Sequence, residues 1–179
     1  KTASKPAPKV HILTSKQANQ LQATIDKSNP GDTILLRAGL YRYKKSIKIK
    51  NMDNLRIEGQ GEVWIIVDDI YDDVIQIRNA SNITIRYIKA RHRRPLGKFN
   101  CEGAVIRAIS SKNLWIDNCE LNGSGAVGIR TYDVENLIAS YNYIHKNTLA
   151  AFMLMQTKWV AIHFNTIVNN GSSLYTLGT

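Results

Sequence analysis

The chain has 179 residues, with 24 Lys and Arg against 14 Asp and Glu and a formal net charge of +10. That length suffices for one domain with its own apolar core, and a hydrophobic content of 44% argues against disorder. No run of about 18 apolar residues occurs, so no membrane span is expected, and a partner chosen by charge would be anionic: acidic polysaccharide, nucleic acid or an anionic membrane surface.

Residues 1–14 read as a flexible leader and a first strand. The opening, from Lys1 to Lys9, is small, basic and Pro-containing, the composition expected of a tail left after removal of an export signal, which would place the protein in an extracellular, periplasmic or cell-surface location. Ala18, Leu21 and Ile25 then recur at helical spacing, so a short helix is expected over about residues 15–28. Asn29, Pro30, Gly31 and Asp32 turn the chain into the apolar strand Thr33–Leu36.

From there the sequence repeats itself. Segments starting at Asn54, Asn82, Asn113, Asn136 and Trp159 resemble one another, and seven residues before each start stands Ile47, Ile75, Ile106, Ile129 or Phe152. Five residues after Leu114, Leu137 and Val160 come Cys119, Asn142 and Asn165, and Leu121, Ile144 and Ile167 follow two further on. Each repeat therefore holds three short strands. The first-strand markers lie 28, 31, 23 and 23 residues apart, a constant core with loops of variable length. Such a unit closes no core alone but encloses one when stacked at about 4.8 Å per strand. The expected architecture is all-β, a solenoid over residues 15–179, with coils from about residue 33 continuing past the last residue. Its inner rows are Ile47, Ile75, Ile106, Ile129 and Phe152 on one sheet, and Leu55, Ile83, Leu114, Leu137 and Val160 on the next. Leu174 to Leu177 reads as a further first-sheet strand, whose uncapped edge allows either more chain or end-to-end self-association.

These repeats, the preceding helix and the asparagines Asn142 and Asn165 resemble the pectate-lyase-like superfamily of right-handed, single-stranded parallel β-helices. The resemblance implies that the helix caps the core, that Asn142 and Asn165 form an internal ladder at the second bend, and that a glycan would lie along the outside of the first sheet. The outward positions there are Lys48, Gln76, Arg107, Arg130 and Met153, then Lys50, Arg78, Ile109, Tyr132 and Met155. The ladder of Lys48, Lys50, Arg78, Arg107 and Arg130 suits a polyanion such as alginate, pectate or a glycosaminoglycan. Its alternative is a set of cations whose stems cover apolar surface while their heads stay hydrated.

The insertion running from Arg91 to Glu102 carries Arg91, His92, Arg93, Arg94 and Lys98. It is expected to overhang the first sheet as a carboxylate clamp or, alternatively, as a solvated loop. One coil earlier Asp68, Asp69, Asp72 and Asp73 cluster, which offers oxygens to calcium or partners to the basic loop. Uronate elimination needs carboxylate neutralisation and a base. Arg107 or Arg130 could neutralise, and the resemblance implies that an arginine could also serve as base, with His92, His145 and Tyr132 as alternatives. Cys101 and Cys119 fit either one disulfide or two buried thiols. Nucleic acid is disfavoured because few aromatics interleave the cations. The candidate functions are a lyase or epimerase of acidic polysaccharide, a non-catalytic binder of it, and a structural or adhesive β-helix.

Overall fold

A computed structural model describes residues 7–94, 103–123 and 126–171. Its core rows are stacks of β-branched and leucine side chains, held by parallel pairing throughout. Ile47 pairs with Ile75, Ile75 with Ile106, Ile106 with Ile129 and Ile129 with Phe152. The second row runs Leu55, Ile83, Leu114, Leu137, Val160, and the third Leu121, Ile144, Ile167. Both rows expected from the repeat are therefore in register. From Ile47 to Ile129 and from Leu55 to Leu137 the side chains are at most 2% exposed, each burial stabilising by about 1.5–3 kcal/mol.

The strands fall into three faces. The first sheet contains β3 (Ile47–Lys50), β5 (Ile75–Arg78) and the opening residues of β8 (Ile106–Asp117), β10 (Val127–Ser140) and β12 (Ala150–His163). The second contains β1 (Val10–Leu13), the starts of β2 (Thr33–Tyr43) and β4 (Asp53–Val67), β6 (Ser81–Arg86) and the remainder of β8, β10 and β12. The third contains the ends of β2 and β4, then β7 (Lys89–His92), β9 (Glu120–Asn122), β11 (Tyr143–His145) and β13 (Thr166–Val168).

The repeat-opening asparagines have a backbone reason. Asn54, Asn82, Asn113 and Asn136 have φ between 54° and 61°, the left-handed region that asparagine tolerates better than other non-glycine residues. They turn the first sheet into the second. Outside the corner their amides form a chain, Asn136 Nδ2 donating to Asn113 Oδ1 at 3.0 Å and Asn113 Nδ2 to Asn82 Oδ1 at 2.9 Å. Inside the second bend, Asn142 Nδ2 donates to Asn165 Oδ1 at 3.0 Å and to the Ile116 carbonyl at 2.9 Å. A second inner ladder, absent from the sequence reading, has Asn147 Nδ2 donating to Asn170 Oδ1 at 2.8 Å.

The N-terminal end is closed by a 3-10 turn (Ser15–Gln20) and α1 (Leu21–Lys27), with Leu21 and Ile25 buried over the core. Asp32 anchors this cap. Fully buried, it accepts from the Lys9 and Asn29 backbone N–H groups at 2.8 and 3.0 Å and meets His11 Nε2 at 2.8 Å. Burial alone would raise its pKa, but the His11 and backbone hydrogen bonds outweigh it and hold the carboxyl below its ordinary value. A folded-state pKa below the unfolded one stabilises at neutral pH, and that contribution is lost as pH falls through the folded value. Asp32→Ala is expected to lower stability by about 2 kcal/mol at pH 7, because two backbone donors lose their acceptor. In urea titrations at several pH values the deficit should shrink in acid; a constant deficit would contradict the pairing.

Candidate functional site

The outside of the first sheet is built as two parallel rows. One runs Lys48, Gln76, Arg107, Arg130, Met153, and the other Lys50, Arg78, Ile109, Tyr132, Met155. Successive rungs bring Arg107 and Arg130 within about 5 Å of backbone spacing. Tyr132, 45% exposed, lies two residues along the strand from Arg130. Arg107, Arg130, Tyr132, Ile109, Thr131 and Met155 line a shallow depression of about 180 Å³. Lys48 is half-buried, whereas Lys50 and Arg78 are exposed at the N-terminal end of the same face.

Beside this face stands one of the four carboxylates that the sequence offers either to calcium or to the basic loop. Asp73, only 2% exposed, pairs with Arg107 Nε at 3.1 Å, accepts from Ala104 N–H at 3.0 Å and from Gln76 Nε2 at 3.2 Å. Burial raises its pKa, while the Ala104 N–H and Arg107 pull it back. The arrangement fixes one end of the Arg107 side chain and leaves Arg130 to face the depression from the next rung. No local motif announces it, because Asp73 and Arg107 are brought together by coil stacking.

The other three acids have separate partners. Asp68 receives Arg42 Nε at 2.8 Å, Asp69 pairs with Lys45, and Asp72 accepts from the Ser46 backbone N–H at 3.1 Å and its hydroxyl at 2.5 Å. The loop is thus tied to the preceding coil. Calcium takes six to eight oxygens converging on one point. Among the described residues no group of three or more His, Cys, Asp or Glu side chains gathers in that way. Asp68, Asp69, Asp72 and Asp73 therefore do not fit a calcium ion, and no step is derived through one.

The basic insertion also needs correction. Lys89–His92 is a strand, β7, of the third sheet, paired with β4 and β9. Arg91 does not overhang the first sheet: its guanidinium lies over the Trp64 ring, 5.3 Å from the centroid. His92 points inward and is fully buried, its Nε2 2.7 Å from the Asp72 carbonyl oxygen. Desolvation lowers its pKa despite that hydrogen bond, so it is a neutral core histidine rather than a base at the surface. Alternation explains the miss, since Ala90 and His92 take the two inward positions of β7. Arg93 and Arg94 are exposed, and Lys98 lies outside the described residues. His145 sits on the third sheet, stacked on Tyr143 at 4.0 Å and 3.2 Å from Glu120, and His163 is exposed on the second. Cys119 is a free, buried thiol whose pKa burial pushes up to about 12; Cys101 and the strand expected at Leu174 to Leu177 lie outside the described residues.

A larger depression, about 460 Å³, covers the first bend. Its wall sets Lys112 and Lys158 against Asp133 and Glu135, so the charges cancel and give a polyanion no advantage. The basic, concave candidate is the first-sheet face.

Solved structures similar to this chain include a pectate lyase from Bacillus sp. N165 determined in complex with trigalacturonate, at 21% identity and a TM-score of 0.60, matched over 93% of this chain and 59% of that one. An alginate lyase from Paenibacillus sp. str. FPU-7 matches at 11% identity and a TM-score of 0.52, over 90% of this chain and 75% of that one. The chain thus spans about three fifths of the length of the first of these. No curated protein matches it. At such identities the likeness establishes the fold. The family model described as a right handed beta helix region matches residues 24–178, and the chain belongs to that right-handed β-helix family.

Proposed function

We propose that the protein is an exported β-helix that engages acidic polysaccharide along the outside of its first sheet and acts on it by uronate-directed elimination or epimerisation. The observation that carries this reading is the depression where Arg107 and Arg130, on adjacent rungs, flank the exposed Tyr132. Supporting it, a structure of similar fold is a pectate lyase complexed with trigalacturonate. No helix among the described residues is long and apolar enough to cross a membrane, and a substrate of this kind places the work in the extracellular, periplasmic or cell-surface space.

The chemistry follows from charge. A uronate carboxylate bound by guanidinium loses its negative charge, and the adjacent C–H becomes more acidic because the developing enolate is stabilised by the same donors. Arg130 is the neutralising group of choice, with Arg107 held beside it by Asp73. With His92 and His145 placed elsewhere, Tyr132 and Arg107 are the candidate bases on the face. Removal of the C5 proton by the base, with cleavage of the C4–oxygen bond and protonation of the departing oxygen, yields an unsaturated uronate and a new chain end; return of a proton to the opposite face of C5 without that cleavage yields the epimer. Lys50 and Arg78 would extend the contact along the chain.

Absorbance near 235 nm, about where unsaturated uronates absorb, follows the elimination directly. Incubation with pectate, alginate and glycosaminoglycans is expected to give a rise that falls at least a hundredfold in Arg130→Ala. No rise on any of them, with proton exchange at C5 also absent, would reject catalysis and leave a binder.

A further inference from the structure

The second bend carries an aromatic ladder with one rung missing. Following the register from Arg86 to Asp117, Ser140 and His163, the next residues are Tyr87, Asn118, Tyr141 and Phe164. All four have left-handed backbones, with φ of 57°, 50°, 53° and 57°, so their side chains leave the corner in the same direction. Tyr141 and Phe164 stack with centroids 5.1 Å apart and planes inclined by 19°. The rings therefore lie across the solenoid axis. Tyr87 and Tyr141 stand two rungs apart, about 9.6 Å, with the exposed Asn118 as the floor between them.

This gap opens into a depression of about 330 Å³ that also includes Lys89, Glu120 and Tyr143. Its walls are not covered: Tyr87 is 47% and Tyr141 56% exposed. Arg86, whose guanidinium lies over the Tyr87 ring, is ion-paired with Glu58 of the preceding coil at 2.9 Å. Asn118 Nδ2 donates to Asp117 Oδ2 at 2.8 Å, which leaves its amide oxygen as an acceptor for a hydroxyl.

We propose that the slot between Tyr87 and Tyr141 is a second glycan site that holds one uncharged pyranose ring of a polysaccharide. Spacing decides the shape of the occupant. Carbon contacts at about 3.5–4.0 Å on each face consume about 7–8 Å, and the remainder matches a puckered sugar ring better than a flat base or indole. Charge decides its class. Lys89 is shared between Glu62 at 3.1 Å and Glu120 at 3.3 Å, so among the described residues lining the slot no cation is left free for a uronate. The slot faces away from the first sheet and differs from it in ligand, which makes this inference independent of the elimination reading.

Native electrophoresis through gels containing hydroxyethylcellulose, xylan, galactomannan or laminarin tests it. At least one of these is expected to retard the protein. Asn118→Tyr supplies the missing rung and should weaken the apparent affinity at least tenfold, while Arg107→Ala leaves it unchanged. Tyr141→Ala, which removes one wall, should give the same loss and serves as the second variant if Asn118→Tyr does not fold by circular dichroism. Absence of retardation in all four gels, or retention by folded Asn118→Tyr or Tyr141→Ala equal to that of the parent, would overturn the proposal.

Discussion

Asn142→Leu is expected to destabilise the protein by about 3–4 kcal/mol, since it deletes a buried side chain that satisfies neighbours on two sides. Asn142 is 1% exposed. Its Oδ1 accepts the Cys119 backbone N–H at 2.9 Å, and its Nδ2 donates to the Ile116 carbonyl at 2.9 Å and to Asn165 Oδ1 at 3.0 Å. Leucine matches the volume but none of the three bonds. The Cys119 N–H would be left buried without an acceptor, and an unpaired buried donor costs more than the net worth of the bond it lost. Chemical denaturation checks this: the midpoint should fall with little change in slope. A shift equal to that of an exposed substitution such as Lys112→Ala would show that the inner ladder contributes nothing.

The second large effect is expected at Asp73. Asp73→Ala strands the Ala104 N–H and removes the carboxylate that faces Arg107, and breaking a largely buried pair in this way costs about 3 kcal/mol. Function should fall with it, because Arg107 loses the contact that holds it on the face beside Arg130. Asp73→Asn keeps the shape and an oxygen for the Ala104 N–H but not the charge facing Arg107, so it separates the two consequences: a smaller stability loss than in Asp73→Ala, with uronate engagement reduced. The sign of the pH response adds a check. Burial raises the folded pKa of Asp73, so its contribution to stability is greatest below the unfolded value and declines as pH rises through the folded one. The parent should therefore gain relative to Asp73→Asn as pH is lowered through that window. A parent that loses ground there would contradict a desolvated carboxylate.

What the sequence disclosed and what it hid follow from the geometry of a solenoid. Rows such as Ile47, Ile75, Ile106 and Ile129 are legible because every coil must place an apolar side chain at the same point, so periodicity survives variable loops. The repeat-opening asparagines are visible for a backbone reason, the left-handed bend at Asn54, Asn82, Asn113 and Asn136. The outward positions of the first sheet follow by alternation, which is how Arg107, Arg130 and Tyr132 could be named. Contacts between coils in loops have no such period. Asp73 meets Arg107 only after stacking, and its neighbours Asp68 and Asp69 turn to Arg42 and Lys45 for the same reason. His92 was hidden by its company: in a segment of three cations the short β7 strand reads as loop, and nothing local shows that Ala90 and His92 face inward. The inner ladder of Asn147 and Asn170 has as many rungs as that of Asn142 and Asn165, but it lies after the third strand, where loop length varies from coil to coil and hides the register.

The most direct test of the basic first-sheet face is equilibrium binding of a fluorescein-labelled oligogalacturonate, followed by anisotropy across a series of salt concentrations. The account predicts measurable binding that weakens as salt screens the cations, over distances of about 10 Å at 0.1 M, together with at least a tenfold loss in the double variant Arg107→Ala/Arg130→Ala and little change in Tyr141→Ala. Binding that ignores salt, or a double variant that binds as the parent does, would contradict it.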